Sequence, residues 1–429
     1  MIKIINGHSL EELKKFPDNY FHSVVTDPPY GLSFMGKKWD YDVPSVELWK
    51  EVFRVLKEGG YLLSFSGTRT QHRMAVNIED AGFEIRDMIA WVFGSGFPKS
   101  HNIGKAVDKL RGNEREVSGV GKAGKGFNKI KGFGINTTKG GEATSEWNTT
   151  KGNSKWEGWG TALKPALELI TMARKPFKTS VAENVLKNGV GGINIDECRV
   201  GNIIQDTSNN RRSEKSHKKT IFKSGLKNDS KGEITQGRFP ANFIHDGSDE
   251  VKDLFPKKGR STKASNGGKK QYGGAIFGST KGIYEHNIVY KDEGSASRFF
   301  YCAKASKQDR NEGLEDFEKK NNKFGTQKNG NDLGNKSVND KFTTQPKANH
   351  HPTVKPTDLM RYLVRLVTPK NEIVLDCFMG SGSTGKACAL EGLSFVGIDL
   401  DKDYCKIAKA RIDKAIEDKR IMDSQLKLF

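Results

Sequence analysis

Residues 27–30, Asp-Pro-Pro-Tyr, combine groups that can bind a planar amine. The β-branched residues 24–25 before them predict a buried strand, and Pro28, which has no backbone N–H, must end that strand. Asp27 then stands at the carboxyl end of a strand, where open α/β sheets bind ligands. Its carboxylate and a backbone carbonyl without a neighbouring N–H can each accept one hydrogen of an NH2 group, while Tyr30 stacks on the base that carries it. A plain strand followed by an Asp-Pro turn is the alternative interpretation.

A second motif, Gly380-x-Gly382-x-x-Gly385, follows one predicted strand and opens a predicted helix. Such glycines let a ligand approach the backbone closely, and Asp399 ends the next predicted strand, where an acid can hold ribose hydroxyls. The pattern is also typical of NAD- or FAD-dependent oxidoreductases. However, only 30 residues follow Asp399, too few to build the second nucleotide half. A smaller adenosine ligand needs one half only, and Phe378 can pack on it; a glycine turn without a ligand is the other alternative.

Alternating strand and helix patterns surround both motifs and predict a doubly wound, mostly parallel sheet. Before residue 100 the predicted elements are a strand at 3–5, a helix at 10–16 with Ser9 as N-cap and Glu12 in a capping box, a strand into Asp27, a helix at 45–56 closed by Gly59-Gly60, a strand at 61–65, a helix at 70–81 and a strand at 83–93. After residue 350 they are an amphipathic helix at 358–367, strands at 372–375 and 395–398, and helices at 384–391 and from 402.

Basic residues concentrate in the middle of the chain. Residues 101–347 hold 46 Lys and Arg against 28 Asp and Glu, whereas the rest of the chain holds 25 against 24. A neutral core therefore carries a strongly basic insertion, which favours nucleic-acid binding; a merely soluble lysine-rich region is the alternative. The five cysteines form no Cys-x-x-Cys pair, and neither a signal-peptide pattern nor a bilayer-spanning apolar run occurs in the sequence. We therefore predict a cytoplasmic location without membrane attachment.

The composition of the middle of the chain also sets the predicted domain boundaries. Residues 101–160 are rich in glycine, lysine, asparagine and threonine, which predicts a long, partly flexible insertion. An apolar run at 167–173 predicts one more core strand, antiparallel to 88–92, and a polar tract at 319–349 predicts a linker or disorder. The division is 1–100 for the half with the first motif, 101–160 for a flexible basic insertion, 161–177 for a core strand, 178–347 for a DNA-binding region and 348–429 for the half with the glycine motif.

Together the two motifs describe a site that holds an aromatic amine beside an adenosine cofactor, and methyl transfer from S-adenosylmethionine to a base joins these parts. The sequence resembles the β class of DNA amino-methyltransferases, in which a catalytic tetrad precedes the cofactor loop and a target-recognition region lies between them. The resemblance implies a circularly permuted, Rossmann-like methyltransferase fold with an antiparallel hairpin. It covers about 1–100, 161–177 and 348–429, and it rests on residues 27–30, 158–165 (GWGTALKP), 299–304 (FFYCAK), 351–356 (HPTVKP) and 378–382 (FMGSG).

The resemblance also implies roles for individual positions. Asp27 and the carbonyl of Pro28 would accept the hydrogens of the target amine, Pro29 belongs to the same catalytic tetrad, and Tyr30 would stack on the flipped base. The implied cofactor-binding residues are Asp376, Phe378, Gly380, Ser381 and Gly382, with Asp399 on the ribose and Thr353 and Lys355 near the methionine end.

The chain departs from the class at two positions. Members usually carry an acid where this chain has His8, and proline where it has Cys377. Because His350 and His351 are adjacent and His8 is remote, the three make a poor ligand set, and we predict no metal site.

The implied function is site-specific methylation of adenine N6 in double-stranded DNA. A tetrad that begins with Asp favours adenine, since cytosine-N4 enzymes more often begin with Ser. Methylation of cytosine N4, an RNA methyltransferase and a DNA-binding protein with an inactive core are the alternatives. DNA is the expected partner, a cognate restriction endonuclease is a candidate partner, and we expect a monomer or a homodimer.

Overall fold

The computed structural model describes residues 1–32, 40–96, 100–122, 146–206, 234–256, 295–303, 307–319 and 348–426. Nearly all of the polar tract predicted at 319–349 lies outside these ranges, and so does the centre of the insertion predicted at 101–160.

Thirteen strands and ten α-helices occur in the described ranges, together with short 3-10 helices. The strands are β1 (Ile2–Asn6), β2 (Phe21–Thr26), β3 (Leu56–Ser66), β4 (Glu84–Val92), β5 (Glu116–Lys122), β6 (Glu146–Lys151), β7 (Leu167–Arg174), β8 (Val200–Asp206), β9 (Ile234–Arg238), β10 (Phe243–His245), β11 (Tyr301–Cys302), β12 (Ile373–Asp376) and β13 (Ser394–Asp399). The helices are α1 (Ser9–Leu13), α2 (Val46–Val55), α3 (Gln71–Asp80), α4 (Ile103–Arg111), α5 (Val181–Asn188), α6 (Asp249–Lys252), α7 (Lys307–Asn311), α8 (Thr357–Val367), α9 (Ser383–Glu391) and α10 (Lys402–Leu426).

Nine of these strands form one sheet, in the order β1-β13-β12-β2-β3-β7-β4-β10-β11. All neighbours are parallel except β7, which runs antiparallel to both β3 and β4. The predicted pairing of 167–173 with 88–92 is confirmed, since Met88 lies opposite Thr171 and Val92 opposite Leu167. The sheet therefore confirms the predicted doubly wound, mostly parallel α/β fold with its antiparallel pair.

At the centre of the sheet, a strand from the N-terminal part of the chain pairs with a strand from the C-terminal part. Strand β12 pairs with β2 in parallel, with Val374 opposite Ser23 and Leu375 opposite Val24. The two strands therefore end side by side, which places Asp376 beside the residues that follow Thr26. The predicted permutation thus appears in the sheet as two strands that are adjacent in space but distant in the sequence.

Apolar side chains cover both faces of the sheet. On β2, Val24 and Val25 are both fully buried but belong to different core clusters, because successive strand residues point to opposite faces. Helices α8, α9 and α10 contribute to the cluster that contains Val25, and helix α2 to the one that contains Val24. All six residues of β2 are buried, including the polar His22, Ser23 and Thr26, so the strand lacks the polar-apolar alternation of a sheet with one solvent-facing side.

Two local predictions in the first half of the chain are wrong. Helix α2 ends at Val55 and β3 begins at Leu56, so Gly59 and Gly60 lie within a strand and do not close the helix. Both glycines form backbone hydrogen bonds with Lys175, the residue that follows β7. Gly59 N–H donates to the carbonyl of Lys175, and Lys175 N–H donates to the carbonyl of Gly60, both at 3.0 Å. These backbone groups of Gly59 and Gly60 are therefore hydrogen-bonded in the sheet, whereas at the end of a helix they would lack an intrahelical partner.

Ser9 does not cap helix α1. The helix begins at Ser9 itself, with His8 in the N-cap position and no side-chain cap. The buried Ser9 hydroxyl donates instead to the carbonyl of Cys377, at 2.5 Å. A tertiary hydrogen bond therefore outcompetes the local capping box.

The predicted insertions contain regular structure. Within 101–160, helix α4 precedes the antiparallel pair β5–β6, and the largely buried guanidinium of Arg115 joins Asp108 to Glu157. Within 178–347, β10 and β11 extend the main sheet beyond β4, while β8 and β9 form a separate pair. The boundaries of the domains remain predictions. No helix among the described residues combines the length and the apolar character needed to cross a membrane.

Candidate active site

The first motif and the glycine motif line one cavity at the carboxyl ends of the central strands. Its volume is about 1620 Å³. Asp27 directly follows β2, and the glycine loop directly follows β12, so the pairing of these two strands brings the motifs together. The lining includes Asp27, Pro28, Pro29, Tyr30, Thr353, Lys355, Asp376, Phe378, Gly380, Ser381 and Asp399. Gly382 is the one predicted site residue that does not line this cavity.

The carboxylate of Asp27 is held by two side-chain donors. The Tyr30 hydroxyl donates to Oδ1 at 2.7 Å, and the Lys355 ammonium donates to Oδ2 at 2.7 Å. The turn around Tyr30 is fixed separately, because Asp40 Oδ1 accepts from the backbone N–H of Tyr30 at 2.6 Å and of Gly31 at 2.9 Å. The motif is therefore a rigid turn that carries a carboxylate engaged through both of its oxygens.

Glu168, which belongs to none of the sequence motifs at 27–30, 351–356 and 378–382, completes this cluster. Its Oε2 lies 3.2 Å from the Tyr30 hydroxyl oxygen and 3.2 Å from the Lys355 ammonium nitrogen. The residue belongs to β7, the antiparallel strand next to β3. One signal in the sequence could have revealed it, since Glu168 is the only charged residue in the apolar run at 167–173.

Burial shapes the ionisation of this cluster. Burial disfavours the Lys355 ammonium, but the charges of Asp27 and Glu168 outweigh that cost and raise the pKa of Lys355. Burial and the same two carboxylates raise the pKa of Tyr30 well above its ordinary value. Lys355 is therefore a cation and Tyr30 a neutral hydrogen-bond donor at neutral pH.

On the other side of the cavity, the carboxylate of Asp399 accepts two backbone hydrogen bonds. Gly380 N–H donates to Oδ2 at 2.7 Å, and Asp401 N–H donates to Oδ1 at 2.8 Å. Burial raises the pKa of Asp399. Since each carboxylate oxygen can accept two hydrogen bonds, both retain capacity for the hydroxyls of a ribose.

Asp376 is the buried centre of the glycine loop. Its Oδ1 accepts from the Thr26 hydroxyl at 2.7 Å and from Phe378 N–H at 3.1 Å, and its Oδ2 accepts from the Thr384 hydroxyl at 2.6 Å. Burial raises the pKa of Asp376 to about 6. These bonds tie β2, β12 and helix α9 together beneath the loop.

The glycines of the loop have distinct reasons to be glycine. Gly380 has a φ of +53°, and a Cβ there would stand 2.7 Å from His351 Nε2. Gly382 has a φ of +78°, and a Cβ there would stand 2.7 Å from the Cβ of Ala408 in helix α10. A side chain at 382 would therefore collide with the last helix, whereas the sequence suggested a close approach of the ligand.

The remaining predicted residues are divided between the cavity and its support. Phe378 and the exposed Thr353 line the cavity, as does the exposed His8. Ser381 is buried and accepts from the guanidinium of the fully buried Arg411, 2.6 Å from its carbonyl and 3.2 Å from its hydroxyl. Ser381 thus anchors the loop to helix α10.

His351, for which no binding role was predicted, also lines the cavity. Its ring packs edge-on against Tyr404 at 4.6 Å between centroids. Burial, with the nearby charges of Lys355 and Arg310, lowers the pKa of His351 to about 3, so the ring is neutral. Among the residues that the structure describes, no three His, Cys, Asp or Glu side chains are grouped to hold a metal ion.

This arrangement can hold an exocyclic amine on one wall and an adenosine on the other. A sequence model of the DNA methylase family matches residues 21–410, which is most of the chain. The chain belongs to the DNA methylase family. Membership confirms the predictions of a DNA methyltransferase and of S-adenosylmethionine as its cofactor.

Individual relatives of this methylase are more distant. Type II methyltransferase M.HindIII of Haemophilus influenzae is 27% identical over 250 residues, which cover 48% of this chain and 69% of that protein. DNA adenine methyltransferase YhdJ of Escherichia coli K12 is 36% identical over 66 residues, 15% of this chain and 22% of that protein. The solved structure of the cytosine-N4-specific PvuII DNA methyltransferase aligns over 97% of this chain and 90% of its own with a TM-score of 0.39 and 12% identity. A similarity at that level does not distinguish substrates.

Proposed function

We propose that this methylase transfers the methyl group of S-adenosylmethionine to N6 of adenine in double-stranded DNA. The observation that supports it is the single cavity that joins Asp27 and Tyr30 to the loop at Phe378 and Gly380. The cavity volume of about 1620 Å³ leaves room for a base beside a cofactor.

The cofactor supplies a methyl group that is already activated by a sulfonium centre. Asp399 would hold the ribose through the free acceptor sites of its carboxylate, and Phe378 would pack on the adenine. Thr353 would stand near the methionine end. Asp376 and Ser381 act on the cofactor indirectly, because their polar groups are used to fix the loop.

Asp27 and the Pro28 carbonyl would act on the target base. The amine of adenine is a weak nucleophile because its lone pair is delocalised into the ring. Two acceptors on its hydrogens favour a pyramidal nitrogen with the lone pair localised and aimed at the methyl group. Tyr30 would stack on the flipped base, which must leave the duplex at a cost of a few kcal/mol. The nitrogen would gain positive charge as its bond to the methyl carbon formed and the carbon–sulfur bond broke, the carboxylate of Asp27 would stabilise that charge, and one amine proton would then leave to solvent.

The basic region at residues 101–347 would bind the DNA. Residues 101–347 carry an excess of 18 positive charges, and cations that contact phosphates release counterions. DNA affinity should therefore fall steeply as salt rises, and a flat salt dependence would contradict phosphate contacts by this region. A cognate endonuclease as partner, a monomeric or dimeric state and a cytoplasmic location also remain proposals.

Mass spectrometry of nucleosides tests the choice of base. Plasmid DNA incubated with the purified protein and S-adenosylmethionine is digested and compared with DNA incubated without protein. N6-methyladenine is the expected product. N4-methylcytosine alone would overturn the choice of base, and modification of RNA but not of duplex DNA would overturn the substrate.

A further inference from the structure

We propose that Glu168 is a positioning residue that takes over hydrogen-bond donors of Asp27 when the target amine arrives. The proposal rests on the proposed function and adds to it a residue outside the four-residue motif. It is an inference from the geometry of one cluster: Asp27, Tyr30, Glu168 and Lys355.

Asp27 is engaged by donors of its own protein. The Tyr30 hydroxyl and the Lys355 ammonium each lie 2.7 Å from one of its oxygens. The short bond from the ammonium neutralises much of the charge that would make Asp27 a strong acceptor. A target amine that binds to this carboxylate therefore competes with Lys355 and Tyr30.

Glu168 is placed to relieve that competition. One of its oxygens, Oε2, is 3.2 Å from both donor atoms, longer than their 2.7 Å bonds to Asp27. A shift of the Glu168 carboxylate by about 0.5 Å, from 3.2 to 2.7 Å, would bring it as close to both donors as Asp27 is, so that neither donor is left unpaired when the amine takes its place on Asp27. Such a shift is open to the Glu168 side chain, which retains 24% exposure at the cavity, whereas Lys355 retains only 7%.

The net charge of the cluster also supports a role for Glu168 in methyl transfer. Two carboxylates and one ammonium leave a net charge of −1 beside an amine nitrogen that becomes positive during methyl transfer. Without the charge of Glu168 the pair of Asp27 and Lys355 would be neutral overall, and the stabilisation of the developing charge would be weaker. Glu168 therefore sets how much negative charge Asp27 can offer.

The test compares Glu168→Gln with the wild type, whose product is established first by nucleoside analysis. The variant keeps the shape of the side chain and loses its charge. We expect kcat at saturating DNA and cofactor to fall about ten- to hundredfold, with the calorimetric Kd for S-adenosylmethionine within about twofold of the wild type. Glu84→Gln is the matched control, since Glu84 pairs with Arg174 at the opposite end of β7 from Glu168; its kcat should be unchanged.

Two further variants separate positioning from a merely structural role. Glu168→Asp restores the charge and should recover part of kcat. In a Lys355→Met background, Glu168→Gln should cost much less than in the wild type, because no ammonium is left to share. Additive losses, a Glu168→Asp variant no better than Glu168→Gln, or a wild-type kcat for Glu168→Gln would each overturn the proposal while leaving the proposed function intact. A wild-type protein that methylates no DNA would overturn both, and would do so before any variant is compared.

Discussion

The two walls of the cavity hold their carboxylates in different ways. On the cofactor wall, Asp399 accepts from the backbone N–H groups of Gly380 and Asp401, which are fixed where strands end. On the amine wall, Asp27 accepts from the side chains of Tyr30 and Lys355, both of which also lie near Glu168. Backbone donors preorganise a site for a ligand that stays the same in every turnover. Side-chain donors can be exchanged when a base enters and leaves.

The largest expected effect comes from breaking the amine wall. In Asp27→Ala, the target amine loses its charged acceptor, while Lys355 keeps Glu168 as an ionic partner. We expect kcat for DNA methylation to fall at least about a thousandfold, with the Kd for S-adenosylmethionine within about twofold. Single-turnover methylation and calorimetry on the same preparation measure the two quantities. Near-normal turnover, or a loss of cofactor affinity equal to the loss of turnover, would remove the distinction between the walls.

Behind the cofactor wall, Gly382→Ala should lower the stability of the fold. The new Cβ would stand 2.7 Å from the Cβ of Ala408, at a φ of +78°. Gly392→Ala is the matched control, because its φ is +75° but its nearest atom, the end of the Lys419 side chain, is 3.7 Å away. Both variants bear a backbone strain of about 1–2 kcal/mol, and the collision adds about 1–3 kcal/mol at Gly382 only. Thermal unfolding measures the difference; equal shifts for the two variants would mean that packing against helix α10 does not constrain the loop.

A smaller effect is expected from Asp376→Asn. The amide keeps one acceptor oxygen for three donors, so at least one buried hydroxyl or N–H loses its bond, at about 1.5–3 kcal/mol. Asp413→Asn on the exposed face of helix α10 is the control and should change stability by less than about 0.5 kcal/mol.

The pKa of Asp376 gives the same variant a pH dependence. Because burial raises that pKa to about 6, the wild-type carboxyl stabilises the fold when protonated and loses that contribution as pH rises through about 6. The variant has no such titration. Its loss of stability should therefore be larger at pH 5 than at pH 7.5, by about 1 kcal/mol, and a smaller loss at pH 5 would contradict the assigned pKa.

The smallest effect concerns His351. Its pKa is lowered to about 3 in the fold, so the unfolded chain takes up a proton near pH 6.5 that the folded protein does not. The free energy of unfolding should fall as pH falls from 7 to 6, by about 1 kcal/mol or less for this group. His351→Gln should lack that part of the slope. Identical slopes for the wild type and the variant would show that the ring titrates normally.

Sequence alone determined the parts of this protein that depend on local order along the chain. Strand, turn and glycine patterns predicted β2, β12 and β13 and the residues that follow each of them, because parallel strands carry their ligand-binding residues at their carboxyl ends. The antiparallel strand at 167–173 was also predicted correctly. Local patterns failed where a tertiary bond competed with a local one, as at Ser9 and at Gly59-Gly60.

Only the tertiary structure decided which distant side chains share the cavity. Lys355 and Glu168 are 187 residues apart in the chain, yet both contact Tyr30. Glu168 is brought there because β2, β3 and β7 are neighbours in the sheet, and Lys355 because helix α8, which follows it, packs on β2 and β3. The sequence named Lys355 through a motif but gave it no contact with Asp27, and it gave Glu168 no role. Likewise, a glycine pattern predicts a tight turn, but the packing partner of Gly382 is Ala408, on a helix whose docking no local pattern specifies. The sequence motifs indicate which chemical groups the site contains, whereas the order of the strands in the sheet decides which of those groups come into contact.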